Sequence, residues 1–283
     1  MKKFLKLIPI LNYGSEKNLI FLCPKILSMN RRKAIKIAAG AVAAGGAGIL
    51  TLSNAFKPKY PPAEKPRKLK PEKTESYWTY HRLNPAETAA AAYKHYSDGG
   101  CMYGVFKSVI SQLGEKTGEP FASFPCYMMK YGHGGIGGFG TVCGALNGSA
   151  ALIGMFVSGK KLQNSLITGL FRWYENARFP VFKASKPVLD YTPPESVSNS
   201  ILCHASNTNW AKASGYSISS KQRKERCRRL TADVAAQVTT VLNKFFDNSY
   251  TTSGHDDESV RKCMTCHGKE GKLGNTTGNM NCA

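Results

Sequence analysis

The sequence predicts a mainly α-helical protein, a single helical domain that ends in an irregular C-terminal tail. Three observations carry this. Apolar residues recur at helical spacing through the middle of the chain, as in Leu230, Val234, Val238, Leu242 and Phe245. The strict apolar–polar alternation of a half-buried strand is hard to find. From Asn248 to Ala283 large apolar residues nearly vanish while Gly and Thr accumulate. The chain has 283 residues, 42% of them hydrophobic, ample for one core and marginal for two.

Taken in order, the helices have identifiable starts and stops. Asn84-Pro85-Ala86-Glu87 supplies a cap, a first-turn proline and an acid in the first turn. The helix it opens runs to about Tyr96 and is stopped by Ser97-Asp98-Gly99-Gly100. A second helix spans Cys101 to Gly114, with Val105, Val109, Ile110 and Leu113 on one face. Phe121–Gly140 reads as a Gly-rich loop. Thr141–Val157 is a small-residue helix in which Gly144, Gly148 and Gly154 permit close approach of a neighbour. Leu162–Ala177 is amphipathic, Pro187–Glu195 is turn-rich, and Ser196–Ala205 and Ser220–Phe246 complete the set.

Before the helical domain the chain changes character twice. Arg31-Arg32-Lys33 leads into the apolar run Ile37–Leu52 and then Ser53-Asn54-Ala55, the layout of a signal peptide with a small-residue cleavage site. The paired arginines suit the twin-arginine route, which exports folded cargo. An ordinary secretory signal or an uncleaved anchor are the alternatives. Residues 1–28 precede that signal, and Met29 is the economical true start, which would leave 1–28 as a misplaced upstream extension. Phe56–Lys73 is rich in Pro and Lys and is expected to form an extended linker or arm. The expected divisions are therefore an extension over 1–28, a signal over 29–55, a linker over 56–82, a helical domain over 83–250 and a tail over 251–283.

The formal net charge is +21, from 39 Lys and Arg against 18 Asp and Glu. Nine of the basic residues and one acid lie in residues 1–55, so the remainder still carries +13. Such a surface suits nucleic acid, anionic lipid or an acidic protein partner. No nucleic-acid motif accompanies it, which leaves an acidic partner as the expectation.

The tail contains Cys263-Met264-Thr265-Cys266-His267. Covalent c-type haem attachment requires this pattern: each thiol adds to a porphyrin vinyl group, and the adjacent imidazole ligates the iron. Half of a zinc site is the bland alternative. Zinc would want a second Cys/His pair, and downstream there is only Cys282. A tail this polar should stay disordered unless a cofactor organises it, and a porphyrin would supply the missing core.

Five further cysteines lie between linker and tail: Cys101, Cys126, Cys143, Cys203 and Cys227. In an exported protein five thiols first suggest disulfides. Twin-arginine export of cargo folded in the reducing cytoplasm favours a metal cluster instead, and four thiolates are the usual demand of an iron–sulfur cluster. The residues alone leave cluster and disulfides open.

Gly100-Cys101-Met102-Tyr103-Gly104, the segment from Gly134 to Cys143-Gly144-Ala145-Leu146-Asn147-Gly148, and the spaced Cys203 and Cys227 resemble the C_GCAxxG_C_C family of redox proteins. With the haem motif added, the region from about residue 75 to 283 resembles the split-Soret cytochromes c. The resemblance implies a helical homodimer with bis-histidine haems near the subunit interface and an iron–sulfur cluster. Position by position, Cys101, Cys143, Cys203 and Cys227 match the family cysteines. Cys126 is a spare, or the fourth ligand in place of Cys101. The resemblance also implies two haem motifs, and this chain has one. Asn279-Met280-Asn281-Cys282 looks like a second such motif cut short, so a second haem is in doubt.

A six-coordinate haem needs a second axial ligand. His81 and His95 flank the first helix and rank first, as ligands that could reach a partner subunit. His204 adjoins a proposed cluster ligand, and His255 is too local to cross the ring. Gly135-Ile136-Gly137-Gly138-Phe139-Gly140 fits the spacing of a dinucleotide fingerprint, but no good strand precedes it and no acid follows at the required distance. Close backbone packing explains it better. The expected function is that of a periplasmic electron carrier. The alternatives are a haem-dependent reductase of a small nitrogen or sulfur compound, and an exported binding protein held by zinc or disulfides.

Overall fold

The computed structural model describes residues 65–71, 78–252, 258–274 and 280. The upstream extension, the signal segment, the start of the linker, His255 and Cys282 lie outside the described residues. The described residues belong to one compact unit, Lys59–Ala283. Its elements are α1 (Pro85–Thr117), a 3-10 helix (Cys126–Gly132), α2 (Gly144–Phe156), α3 (Lys160–Asn176), β1 (Arg178–Phe179), β2 (Ser196–Val197), α4 (Cys203–Ser214), α5 (Lys221–Phe246) and α6 (Glu258–His267).

The fold is mainly helical, as expected. α1 begins where its cap predicts: Asn84 Oδ1 accepts the Ala86 amide at 2.9 Å, and Asn84 Nδ2 donates to Glu87 Oε1 at 3.1 Å. Its stop was placed too early. The helix continues through Ser97–Gly99 and breaks only at Gly100, whose φ of 80° and ψ of −166° suit glycine alone. It then resumes at Cys101 and ends at Thr117. α5 starts on Ser220, whose hydroxyl accepts the Arg223 amide at 3.1 Å.

α1 packs along α5, and α2 packs on α1. The predicted stripes meet there: Val105, Val109, Ile110 and Leu113 from α1 face the core with Leu230, Val234, Val238, Leu242 and Phe245 from α5. Small residues set the spacing. A Cβ on Gly104 would stand 2.9 Å from Thr231 Cγ2, and one on Gly148 would stand 2.7 Å from the Met102 carbonyl oxygen. Gly154, expected to serve the same end, faces open space.

Two further expectations are corrected. The helix expected over Ser196–Ala205 is a short strand followed by turns, and α4 starts only at Cys203. Serines explain this. Ser198 Oγ donates to the Ser200 carbonyl, and Ser200 Oγ accepts the Leu202 amide at 3.2 Å, so local side-chain bonds replace helical ones. Ser196–Val197 pairs antiparallel with Arg178–Phe179 instead. The tail is not irregular throughout, because α6 carries the Cys263–His267 motif on a regular helix. The described stretch 65–71 of the linker is extended and tied to the body. Lys68 bridges to Thr251, the Leu69 amide donates to the Tyr250 carbonyl at 3.1 Å, and Leu69 is buried.

The sequence does not advertise a buried charge network on α5. Glu225 is fully enclosed and accepts from Arg228 at 2.7 Å, Arg229 at 2.8 Å and the Tyr93 hydroxyl at 2.7 Å. Removing the acid leaves two largely buried guanidinium groups without a counter-charge. Glu225→Ala is therefore expected to cost about 3–5 kcal/mol of unfolding free energy, measured by denaturant titration.

Candidate metal centre

Four of the predicted cysteines come from four helices. Cys101 opens the second half of α1, just past the Gly100 break, and His133 fills the space beside that glycine, its Cβ 3.2 Å from where a Gly100 Cβ would be. Cys143 caps α2, Cys203 is the first residue of α4, and Cys227 lies in the second turn of α5. An antiparallel bridge between Val142 and Leu202 holds two of these starts together, with the Cys143 amide donating to the Ile201 carbonyl at 2.8 Å and the Cys203 amide to Thr141 at 2.7 Å. The glycine loop leads into this bridge, and the His204 amide donates to the Gly140 carbonyl at 3.0 Å. The loop follows a 3-10 helix rather than a strand, so it serves backbone packing and not a dinucleotide site. Gly144 has no room for a side chain, since a Cβ would collide with the Gly132 carbonyl and press on Cys101.

The sulfurs share one electrostatic environment. Cys143 and Cys227 are buried, and Cys101 and Cys203 are half-buried. Cys227 is the neighbour that acts most strongly on Cys101, and with burial it pushes the Cys101 thiol well up while the thiolate is favoured at Cys227. Arg226 and Arg223 add to that preference at Cys227. Burial, then the neighbouring Cys143 and Cys227, push Cys203 up to about 12. Burial also raises Cys143, against the Tyr174 hydroxyl and the Ala145 and Leu146 amides at the start of α2. Asn207 spans two of the thiols: its amide nitrogen donates to Cys203 Sγ at 3.2 Å, and its carbonyl oxygen lies 3.3 Å from Cys227 Sγ.

Cys126 stands apart. It is buried at the start of the 3-10 helix, and Lys107 is the charge that acts on it. Among the described residues no three His, Cys, Asp or Glu side chains stand in a metal-holding arrangement, so the thiols meet through pairwise contacts. They nevertheless fit a thiolate-ligated group. The four thiols act on one another electrostatically, Arg226 and Arg223 favour negative charge at Cys227, and the buried Arg226 Nε has no hydrogen-bond partner among the described residues.

The haem motif is equally legible in geometry. On α6, Cys263, Cys266 and His267 stand at i, i+3 and i+4, the spacing that puts side chains on one helix face. Cys263 is half-buried, while Cys266 and His267 are exposed. Among the described residues no hydrogen bond or ion pair occupies the three side chains, and Val260 is buried. Gly268 and Leu273 close the helix end, their amides donating to Met264 and Cys266 carbonyls at 2.8 and 3.0 Å. Such a face suits attachment of a flat macrocycle.

The C_GCAxxG_C_C family, described as "Putative redox-active protein", matches residues 103–241. A split-Soret cytochrome c from Desulfovibrio desulfuricans is 37% identical over 212 residues, covering 72% of this chain and 76% of the relative. The chain belongs to the split-Soret cytochrome c family. A solved structure described as a novel iron centre in the split-Soret cytochrome c from the same organism superposes with a TM-score of 0.68 at 37% identity, covering 73% of this chain and 88% of that one.

Within this family member the histidine candidates are dispersed. His81 is exposed ahead of α1. His95 is half-buried within α1, its Nδ1 3.6 Å from Asp98 Oδ2 and its ring edge-on to Tyr103. Neither makes a hydrogen bond, ion pair or ring contact with α6. Sequence reasoning missed Arg226, Ser206, Asn207 and Tyr174 around the thiols. One signal was available: Arg223, Arg226 and Cys227 extend the apolar stripe of Leu230 and Val234 toward the start of α5, so charge stands where burial was expected.

Proposed function

We propose that this chain is a periplasmic electron-transfer protein carrying a covalent c-type haem on α6 and an iron–sulfur cluster at Cys101, Cys143, Cys203 and Cys227. The observation that carries the reading is the single face of α6 bearing both thiols and the imidazole, in a chain of this family. Cys263 and Cys266 hold the porphyrin by thioether bonds, and His267 is the proximal ligand. Together the two groups supply reversible one-electron chemistry, with potentials set by ligation, hydrogen bonding and burial. The protein's own task is to hold the thiolates, exclude water and fix surrounding charge. Arg226, Arg223 and the α2 amides favour anionic sulfur, Asn207 orients Cys203 and Cys227, and the packed α1–α5 core keeps the site dry.

The second axial ligand is His81 or His95 from a second copy of the chain in a homodimer. Export by the twin-arginine route is supported by Arg31-Arg32 ahead of Ile37–Leu52. The excess of basic residues suits docking of an acidic redox partner. Carbon monoxide added to the reduced protein tests the function: an electron carrier with both axial positions filled keeps its spectrum. A spectrum that shifts on addition would mark an open iron site and favour the reductase.

A further inference from the structure

Arg226 is the one fully enclosed cation at the thiol site. It is 1% exposed, and among the described residues its guanidinium makes no ion pair with a carboxylate. Its neighbours on α5 are treated differently: Arg228 and Arg229 share Glu225. Asp233 feels the Arg226 charge, but both its oxygens accept backbone amides, from Val181 at 3.0 Å and Phe182 at 2.9 Å. Arg226 is held instead by Ser206 Oγ, 2.9 Å from one terminal nitrogen, with the other 4.0 Å from Cys227 Sγ. Tyr174 braces the arrangement, its hydroxyl donating to Ser206 at 3.0 Å. A buried cation without an anion is strongly unfavourable, and Cys227 is the group that acts most strongly on Arg226, ahead of Tyr174 and Cys143.

We propose that Arg226 is a positioning residue that sets the reduction potential of the four-cysteine centre, holding it above the value the four thiolates alone would give. The inference rests on Cys101, Cys143, Cys203 and Cys227 being the ligands. Reduction adds one electron, and hence one negative charge, to the centre without making or breaking a bond. A fixed positive charge beside Cys227 stabilises the reduced form more than the oxidised form. Ser206 and Tyr174 keep the guanidinium from turning away. Arg223 acts on the same thiols less strongly than Arg226, being half-buried and donating to the Ile218 carbonyl at 2.6 Å.

The test is a potentiometric titration of the full chain, with non-haem iron and acid-labile sulfide counted in every sample. Arg226→Gln should lower the potential of the centre by a tenfold to hundredfold change in its reduction equilibrium, about 59 mV per tenfold for one electron. Arg226→Lys should restore most of that shift, Arg223→Gln should produce a smaller one, and the haem potential should move least. An unchanged centre potential in Arg226→Gln with iron and sulfide intact would overturn the inference, as would failure of lysine to restore it. If Arg226→Gln does not assemble, Ser206→Ala decides: it keeps the charge but frees the guanidinium, and should lower the potential by a lesser amount. No shift there also overturns the inference. Wild-type chain without non-haem iron would instead sink the four-cysteine reading, and the inference with it.

Discussion

Chains carrying Cys263→Ala together with Cys266→Ala are expected to leave denaturing gels stained for haem blank, where the wild type gives a haem-stained band coincident with the protein band. The effect should be complete, because a thioether survives unfolding and axial ligation does not. Both sulfurs stand on one face of α6 with the imidazole of His267 one residue on. Loss of both removes every covalent tie while leaving α6 itself intact, since the substituted positions are half-buried and exposed and alanine favours helix. His267→Ala gives the contrasting result: haem remains on the gel but the native low-spin spectrum is lost. A haem band that persists in the double variant would place the attachment elsewhere.

Cys143→Ser is expected to abolish non-haem iron and acid-labile sulfide while sparing the haem. Cys143 caps α2 under a glycine that cannot accept a side chain, beside the Cys101 Cβ and bridged through the backbone to the segment leading into Cys203. A serine hydroxyl fits the space but binds iron far less well than a thiolate, so the loss should exceed tenfold. Cys126→Ser is the internal comparison. Its thiol answers to Lys107 and not to the other four, so iron and sulfide should stay near wild-type amounts. Should the two variants behave in reverse, Cys126 would replace one of the four as a ligand.

Helix starts were readable because caps are local: Asn84 and Ser220 each bond within three residues, so the fold needs nothing distant to honour them. The α1–α5 stripe was readable for the same reason that helices have a period. The helix expected over Ser196–Ala205 failed on equally local grounds, since Ser198 and Ser200 gave the backbone other partners. At the site, the cysteines announced themselves by residue type and the α6 motif by spacing. What brings Cys143 and Cys203 together could not be seen in either segment alone, because the Val142–Leu202 bridge joins stretches sixty residues apart. Arg226 stayed hidden for a related reason. One arginine in the basic run from Lys221 to Arg229 reads as surface charge until the packing of Ser206, Tyr174 and Cys227 around it shows otherwise.

One measurement bears on the central claim most directly: an optical spectrum of the protein matured with haem c machinery, with iron and acid-labile sulfide assayed on the same sample. A low-spin reduced haem spectrum, iron in excess of haem and sulfide in proportion to that excess are the predicted result. Haem without sulfide would reduce the protein to a simple cytochrome and leave Cys101, Cys143, Cys203 and Cys227 to other chemistry, and a colourless, iron-free chain would contradict the account outright.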